Sequence, residues 1–245
     1  MLNKNSEKFK SIYNKMYDQM YRLNKLRGKY NGKYEGFTDL IFSLSENNSI
    51  IQKYQEDLKQ YAKLRNAIVH TATEEVIAEP SDKTVERFQK IYQMFTEPPT
   101  TLKISSSPVT ICKSGDLIVD VIKEMKKNIY THIPVYQDKK FIGVFSEASA
   151  IRWLDSSAEK DGFILEETKI GDLIEYFDQS DDSYNGYKFI SRNTNVFDIR
   201  ESFSNSIKKQ RRLGVIFVTA DGKKNEKLLG IITAWDLPKI DKLLP

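Results

Sequence analysis

Two short segments of the chain hold the residue types that could do chemistry. Thr233-Ala234-Trp235-Asp236 sets a hydroxyl and a carboxylate one helical turn apart, where the apolar run Leu228-Leu229-Gly230-Ile231-Ile232 ends. A carboxylate can accept both hydroxyls of a sugar diol, and Thr233 can donate to a phosphate or sugar oxygen. The same pair can instead cap the helix that follows, satisfying free amides and the helix dipole. Leu64-Arg65-Asn66-Ala67-Ile68-Val69-His70 is the second segment. A histidine titrating near neutrality can act as a general base while an arginine stabilises an anionic transition state. Five helical steps set Arg65 and His70 roughly 140° apart, whereas Asn66 and His70 share a face. Convergence requires His70 in a loosened last turn, or a second chain bringing its own pair. The other reading is a helix-end and dimer-contact network without catalysis.

The rest of the composition excludes more than it offers. In 245 residues there is one cysteine and two histidines, His70 and His132, so neither an internal disulfide nor a Cys/His zinc set can form. Cys112 reads as a packing residue. His132 reads as a packing or surface residue, with a phosphate contact as the alternative. No glycine-rich phosphate loop is present: Gly28-Lys29-Tyr30-Asn31-Gly32 ends a helix. Asp178-Gln179-Ser180-Asp181-Asp182 lacks the spacing and closing glutamate of a calcium loop, and reads as a solvated connection. No metal and no resident cofactor are expected. Apolar residues at 40% and charged residues at 29% are globular values. No apolar run approaches the roughly 18–20 residues of a membrane span, and the start lacks a signal segment, so a soluble, cytoplasmic protein without membrane contact is expected.

A net charge of +4 is too small to argue for nucleic acid. Its distribution is uneven. Residues 1–33 carry nine Lys/Arg and two acids, residues 155–182 ten acids and two lysines, and Lys208, Lys209, Arg211 and Arg212 form a basic cluster. Such runs are ordinarily solvated faces, but they mark places where anions could bind.

The elements that must position these residues fall into two blocks. Phe9, Ile12, Tyr13, Met16, Met20, Leu23 and Leu26 form one apolar stripe at helical period. A short helix is expected after Thr38 as cap, and a long one from Asn48/Ser49 to about Val69. A further helix, capped by Ser81, carries Val85, Phe88, Ile91 and Phe95. Glu97-Pro98-Pro99 ends the helical pattern and sets the expected domain boundary, 1–97 against 98–245. Beyond it the order β-α-β-β-α appears twice, about 80–87 residues apart. The first copy, about 98–157, runs from a strand at Val109-Thr110-Ile111 through a helix capped by Ser114 and the strands Ile133–Tyr136 and Phe141–Phe145 to a helix around Trp153. The second, 158–245, runs from Lys188-Phe189-Ile190 through a helix capped near Thr194/Asn195 and the strands Val215–Val218 and Leu228–Ile232 to a helix around Leu237. The expected fold class is therefore multidomain, an all-α domain followed by two α+β repeats that pack on one another.

The repeat resembles the tandem CBS domain pair (Bateman module) over about residues 100–243. Ile133-Pro134-Val135-Tyr136 with Gly143-Val144-Phe145-Ser146, and Gly230-Ile231-Ile232-Thr233-Ala234-Trp235-Asp236-Leu237, carry the likeness. It implies a sensor of adenine nucleotides, with AMP, ADP, ATP or cyclic di-AMP as ligand. Thr233 and Asp236 match the family's nucleotide signature in full. The backbone near Phe189, Ile190 and Ser191 would read the adenine, and Arg211 and Arg212 could reach phosphates. In the first copy Ser146 keeps the hydroxyl, but Ser149 stands where the acid belongs. One competent site rather than two is expected.

Residues 5–95 resemble the HEPN-like helical domains through Leu64–His70. That likeness implies a homodimer and, in the alternative reading, a metal-independent endoribonuclease controlled by the nucleotide, with Arg65, Asn66 and His70 as catalytic residues and RNA as partner. The basic stretch 1–33 is compatible with an RNA contact and equally with a solvated helix.

Overall fold

The computed structural model describes residues 4–26, 35–69, 78–158, 165–180 and 185–244. They divide into two compact units, residues 1–99 with 244–245, and residues 100–243.

In the helical unit, α1 (Lys4–Leu26) buries Phe9, Ile12, Met16 and Met20, the stripe its periodicity marks. Leu26, expected on that stripe, is exposed at its end. Phe9 sits between Tyr61 and Phe88, with ring centroids at 5.7 and 5.1 Å. Each such fully buried side chain contributes about 1.5–3 kcal/mol. The second helix, α2 (Phe37–Ser45), begins one residue before Thr38: Gly36 takes the cap position, and its N–H donates to the Asp39 carboxylate at 2.9 Å. The long helix expected from Asn48 is two, α3 (Ser49–Lys53) and α4 (Gln55–Val69). They break at Tyr54, whose backbone leaves the helical region (φ −103°, ψ 19°) while its ring enters the core. Asn48 caps α3 by accepting from Ile50 and Ile51, and Ser81 caps α5 (Asp82–Thr96) by accepting from Thr84.

The second unit holds two small sheets. Strands β1 (Cys112–Lys113), β2 (His132–Gln137) and β3 (Lys140–Ser146) form the first, in that order, with α6 (Ile118–Asn128) and α7 (Glu147–Ala158). Strands β4 (Gln179–Ser180), β5 (Asn185–Ser191), β6 (Arg212–Thr219) and β7 (Gly230–Ile232) form the second, with α8 (Val196–Lys208) and α9 (Leu237–Asp241). The first strand lies just beyond its expected place: Val109-Thr110-Ile111 is not strand, and pairing starts at Cys112. Ser114 does not cap α6, where Leu117 takes the cap position without a side-chain bond, but Asn195 caps α8. The β2–β3 turn is carried by Asp138 and Lys139, both at positive φ (48° and 63°), the backbone a two-residue hairpin needs to match the twist of its strands.

Each copy is crossed by the segment that leads into the other. Residues 100–106, ahead of the first copy, bridge Asn195 and Ile231 of the second. Residues 169–178, ahead of the second, bridge Leu117 and Val144 of the first. The connection expected to be solvated is thus partly core. A 3₁₀ turn at Ile170–Tyr176 buries Ile170 and Leu173, and Phe177 and Asp178 follow them inside. Between the copies, Phe141 meets Tyr187, Phe189 and Phe217 with ring centroids 5.1–5.9 Å apart.

Candidate ligand-binding site

Thr233 and Asp236 lie where β7 ends and a 3₁₀ turn (Ala234–Asp236) opens α9. The backbone reversal brings them together. Thr233 donates to Asp236 Oδ2 from its N–H at 2.8 Å and from its hydroxyl at 3.2 Å. On the other carboxylate oxygen, Lys239 Nζ sits at 2.6 Å and the Ser106 hydroxyl at 3.5 Å. Lys239 also donates to the Ile104 carbonyl at 3.1 Å. The carboxylate side chain is 11% exposed, and the lysine lying over it 46%. The capping reading of Thr233-x-x-Asp236 is met at Oδ2, while Oδ1 is held by the half-exposed Lys239.

Other expected site residues lie elsewhere. Ser191 pairs with Thr219 at the far end of β6, while β7 meets β6 at Ile216–Val218 and ends toward Arg212. Ser191 is also spent on structure: its hydroxyl donates to the Ala220 carbonyl, and its own carbonyl accepts from buried Thr101. Phe189 belongs to the aromatic cluster between the copies, and Ile190 is buried. Arg212 starts β6, at the end of the sheet toward which Thr233 points. Arg211 lines a shallow polar cavity of about 290 Å³ against α8, with Lys188 and Lys209. In the helical unit, Arg65 lies over the Tyr13 ring at 5.7 Å and donates to Asn66 at 3.4 Å. His70 lies outside the described residues, as do Asp181 and Asp182.

What the sequence did not single out is the partner set. Ser106 and Ile104 reach the site only because the first copy's lead-in crosses the second copy, and Lys239 follows Asp236 by three residues on the next turn. The i,i+3 spacing of Asp236 and Lys239 was the one available signal.

The corresponding place in the first copy is also occupied. Ser149 donates its N–H to the Ser146 hydroxyl at 3.2 Å, and the two hydroxyls are 3.2 Å apart. Three residues on, Arg152 donates to Ser149 Oγ at 3.2 Å, to the Tyr176 carbonyl and to Asp178 Oδ1 at 2.7 Å. His132 Nε2 lies 3.8 Å from the other Asp178 oxygen, and its Nδ1 meets the Thr131 hydroxyl at 2.8 Å. Burial holds the His132 imidazole below its ordinary pKa, against the pull of Asp178 and Glu147. Its ring also packs on the Gly214 backbone, so close that a side chain at 214 would collide with it. Among the described residues, no group of three or more His, Cys, Asp or Glu could hold a metal ion, and no helix is long and apolar enough to cross a membrane.

Comparison with known proteins bears on the second unit. Residues 102–156 match the CBS domain family model. No curated protein matches the sequence. Among solved structures, the CBS domain pair of protein MJ0100, in complex with 5′-methylthioadenosine and S-adenosyl-L-methionine, is 15% identical over 59% of this chain and 97% of that one, with a TM-score of 0.43. CbpB from Streptococcus agalactiae is 18% identical over 58% and 78%, with a TM-score of 0.39. A conserved CBS domain protein of unknown function, TA0289 from Thermoplasma acidophilum, is 20% identical over 60% and 74%, with a TM-score of 0.41.

Proposed function

We propose that residues 100–243 are a sensor of adenine ribonucleotides in the cytoplasm, binding at Thr233 and Asp236 and passing the signal to a dimerising helical unit. The observation that carries this is the Asp236 carboxylate, pinned by Thr233 on one side and covered on the other by the half-exposed Lys239. The CBS model match to residues 102–156 and the repeated fold support the assignment. A ribose diol takes Oδ1 as Lys239 leaves it, and the freed ammonium meets the phosphate. A neutral nucleoside would break the ion pair without replacing it. Arg212 is the second phosphate candidate. The lead-in around Ile104–Ser106 borders the carboxylate more closely than Phe189–Ser191, and is the better candidate for contact with the base. Binding biases the helical unit only insofar as the nucleotide prefers one arrangement of the two copies.

Calorimetry of the full chain against AMP, ADP, ATP and cyclic di-AMP tests the reading. At least one should bind, and Asp236→Asn, which keeps a cap acceptor, should weaken it at least tenfold. Unchanged affinity in that variant sinks the site. The ribonuclease alternative gains nothing from Arg65, whose guanidinium is engaged by Tyr13 and Asn66. It would be revived by metal-independent RNA cleavage that His70→Ala abolishes.

A further inference from the structure

The helical unit holds a cavity of its own. Its first and last helices, α1 and α5, run side by side in the same direction. Asn5 donates to the Pro80 carbonyl and the Asp82 carboxylate where both begin, and Phe9 meets Phe88 further along. Between them lies a cavity of about 530 Å³, with Lys8, Ile12 and Lys15 on one wall and Val85, Glu86 and Lys90 on the other. That volume falls within the roughly 300–1,000 Å³ of small-ligand sites. Ile12 and Val85, 6% and 7% exposed, are its apolar floor, and the lysine stems extend it while their ammonium groups reach water. Two apolar side chains are too few for the interface of about 1,000 Å² that a docked protein needs, so the occupant that fits is a small molecule. Charge narrows its type. Lys10 is paired with Glu7, whereas among the described residues Lys8, Lys15 and Lys90 take part in no ion pair. Lys8 and Lys15 are two turns apart, about 10.5 Å. On α5, Lys90 lies one turn beyond Glu86, in the direction that leads from Lys8 to Lys15. The groove is therefore cationic at the Lys15 end, and Glu86 offsets Lys8 at the other.

We infer that this groove binds a small amphiphilic anion, an apolar chain ending in a carboxylate, with its head toward Lys15 and Lys90 and its chain over Ile12 and Val85. The head gains charge-assisted hydrogen bonds from two ammonium groups that have no other ionic partner. The chain leaves water against the floor and the lysine stems. Neither contribution holds a ligand alone. Exposed lysines attract a bare anion only weakly, and an uncharged chain meets just two apolar side chains. The site shares no residue with the Asp236 site, and it gives the helical unit a ligand of its own.

Decanoate, titrated into the full chain by calorimetry, tests this. It should bind, while acetate, which lacks the chain, and decylammonium, which inverts the charge, should not bind at the same concentrations. Lys15→Gln and Lys90→Gln should each weaken decanoate roughly three- to tenfold, and Lys8→Gln less than about twofold. Lys15→Arg, which keeps the charge, should bind decanoate as the unaltered chain does. A diazirine derivative of decanoate, crosslinked to the unaltered chain, locates the site without any variant, and its label should fall in peptides from α1 and α5. No binding of decanoate, equal binding of decylammonium, label outside those two helices, or full affinity in the Lys15→Gln/Lys90→Gln double variant overturns the proposal.

Discussion

The two copies solve one problem, holding a carboxylate at the end of a strand pair, with the acid on opposite elements. Asp236 is local: it caps its own turn, and two of its bonds come from Thr233, three residues away. Asp178 is remote. It reaches the first copy from the segment leading into the second, and among the described contacts its partners are Arg152, 26 residues away, and His132. A carboxylate held by its own turn tolerates loss of its cation. One delivered through the fold depends on that cation, because nothing local takes over its charge.

The largest expected effect follows from that dependence. Arg152→Met leaves Asp178 buried without its main partner and should cost about 2–4 kcal/mol, less than a fully enclosed pair because the arginine itself is half in solvent. Lys239→Met leaves Asp236 bonded to Thr233 and should cost only about 0.5–1 kcal/mol. Urea unfolding followed by tryptophan fluorescence reports on this unit alone, because both tryptophans, Trp153 and Trp235, lie in it. Equal losses would erase the distinction between the copies.

Next comes the cap. Asp236→Ala removes an acceptor for the Thr233 N–H and should cost about 0.5–2 kcal/mol, while Ser149→Ala, which removes a hydroxyl but leaves the Ser146 acceptor for its N–H, should cost less. The same unfolding assay ranks them. A larger loss from Ser149 would mean that the hydroxyl pair, and not the remote acid, organises the first copy.

His132 separates the copies by pH. Its counterpart in the second copy is Val215, so only the first copy carries an imidazole there. Burial lowers its pKa, while Asp178 and Glu147 raise it and Arg152 holds Asp178 in check. Unfolded chains take up this proton at the ordinary value near 6.5, folded ones only at lower pH. Stability is therefore full above that value and falls as pH drops below it. His132→Val should flatten the slope. Arg152→Met should shrink it, because an unpaired Asp178 makes the imidazolium more acceptable. A slope untouched by His132→Val places the titrating group elsewhere.

How much of this could be read from the sequence depends on range. The repeat, the caps at Asn48, Ser81 and Asn195, and the Thr233–Asp236 pair are local patterns, legible because one turn or one strand determines them. The break at Tyr54 was not, because Tyr54 lies on the same buried stripe as Ile50, Ile51, Leu58 and Tyr61, and the pattern runs through the break unchanged. The reading of 155–182 as a solvated acidic connection holds for most of its described acids and fails at Asp178, for the opposite reason. Ile170 and Leu173 are spaced for a 3₁₀ turn packed into the core of the first copy, Phe177 follows at its end, and the acid after it, Asp178, is buried there. Composition averaged it with its solvated neighbours. The crossing of the lead-ins became visible only in the structure, since Ile104 and Ser106 are more than 100 residues from the second copy's turn and Asp178 is about 30 from the first's.

The smallest effect sits on the strands that enter each sheet. Cys112 opposite Val135 corresponds to Ile190 opposite Val218, so a thiol and a branched aliphatic side chain fill equivalent places. Burial, with a smaller push from Asp116, drives the Cys112 thiol up from 9.0 to about 12, so almost no thiolate exists at physiological pH. Native protein should not react with a disulfide reagent at pH 8, whereas urea-unfolded protein should react fully. Cys112→Val, close in volume to the cysteine and in shape to the isoleucine of the other copy, should change stability by less than about 1.5 kcal/mol and leave AMP affinity untouched. A loss of ligand in that variant would give the entering strand a part in binding. A silent substitution keeps the difference between the copies where the hydrogen bonds put it, in the placement of the aspartate.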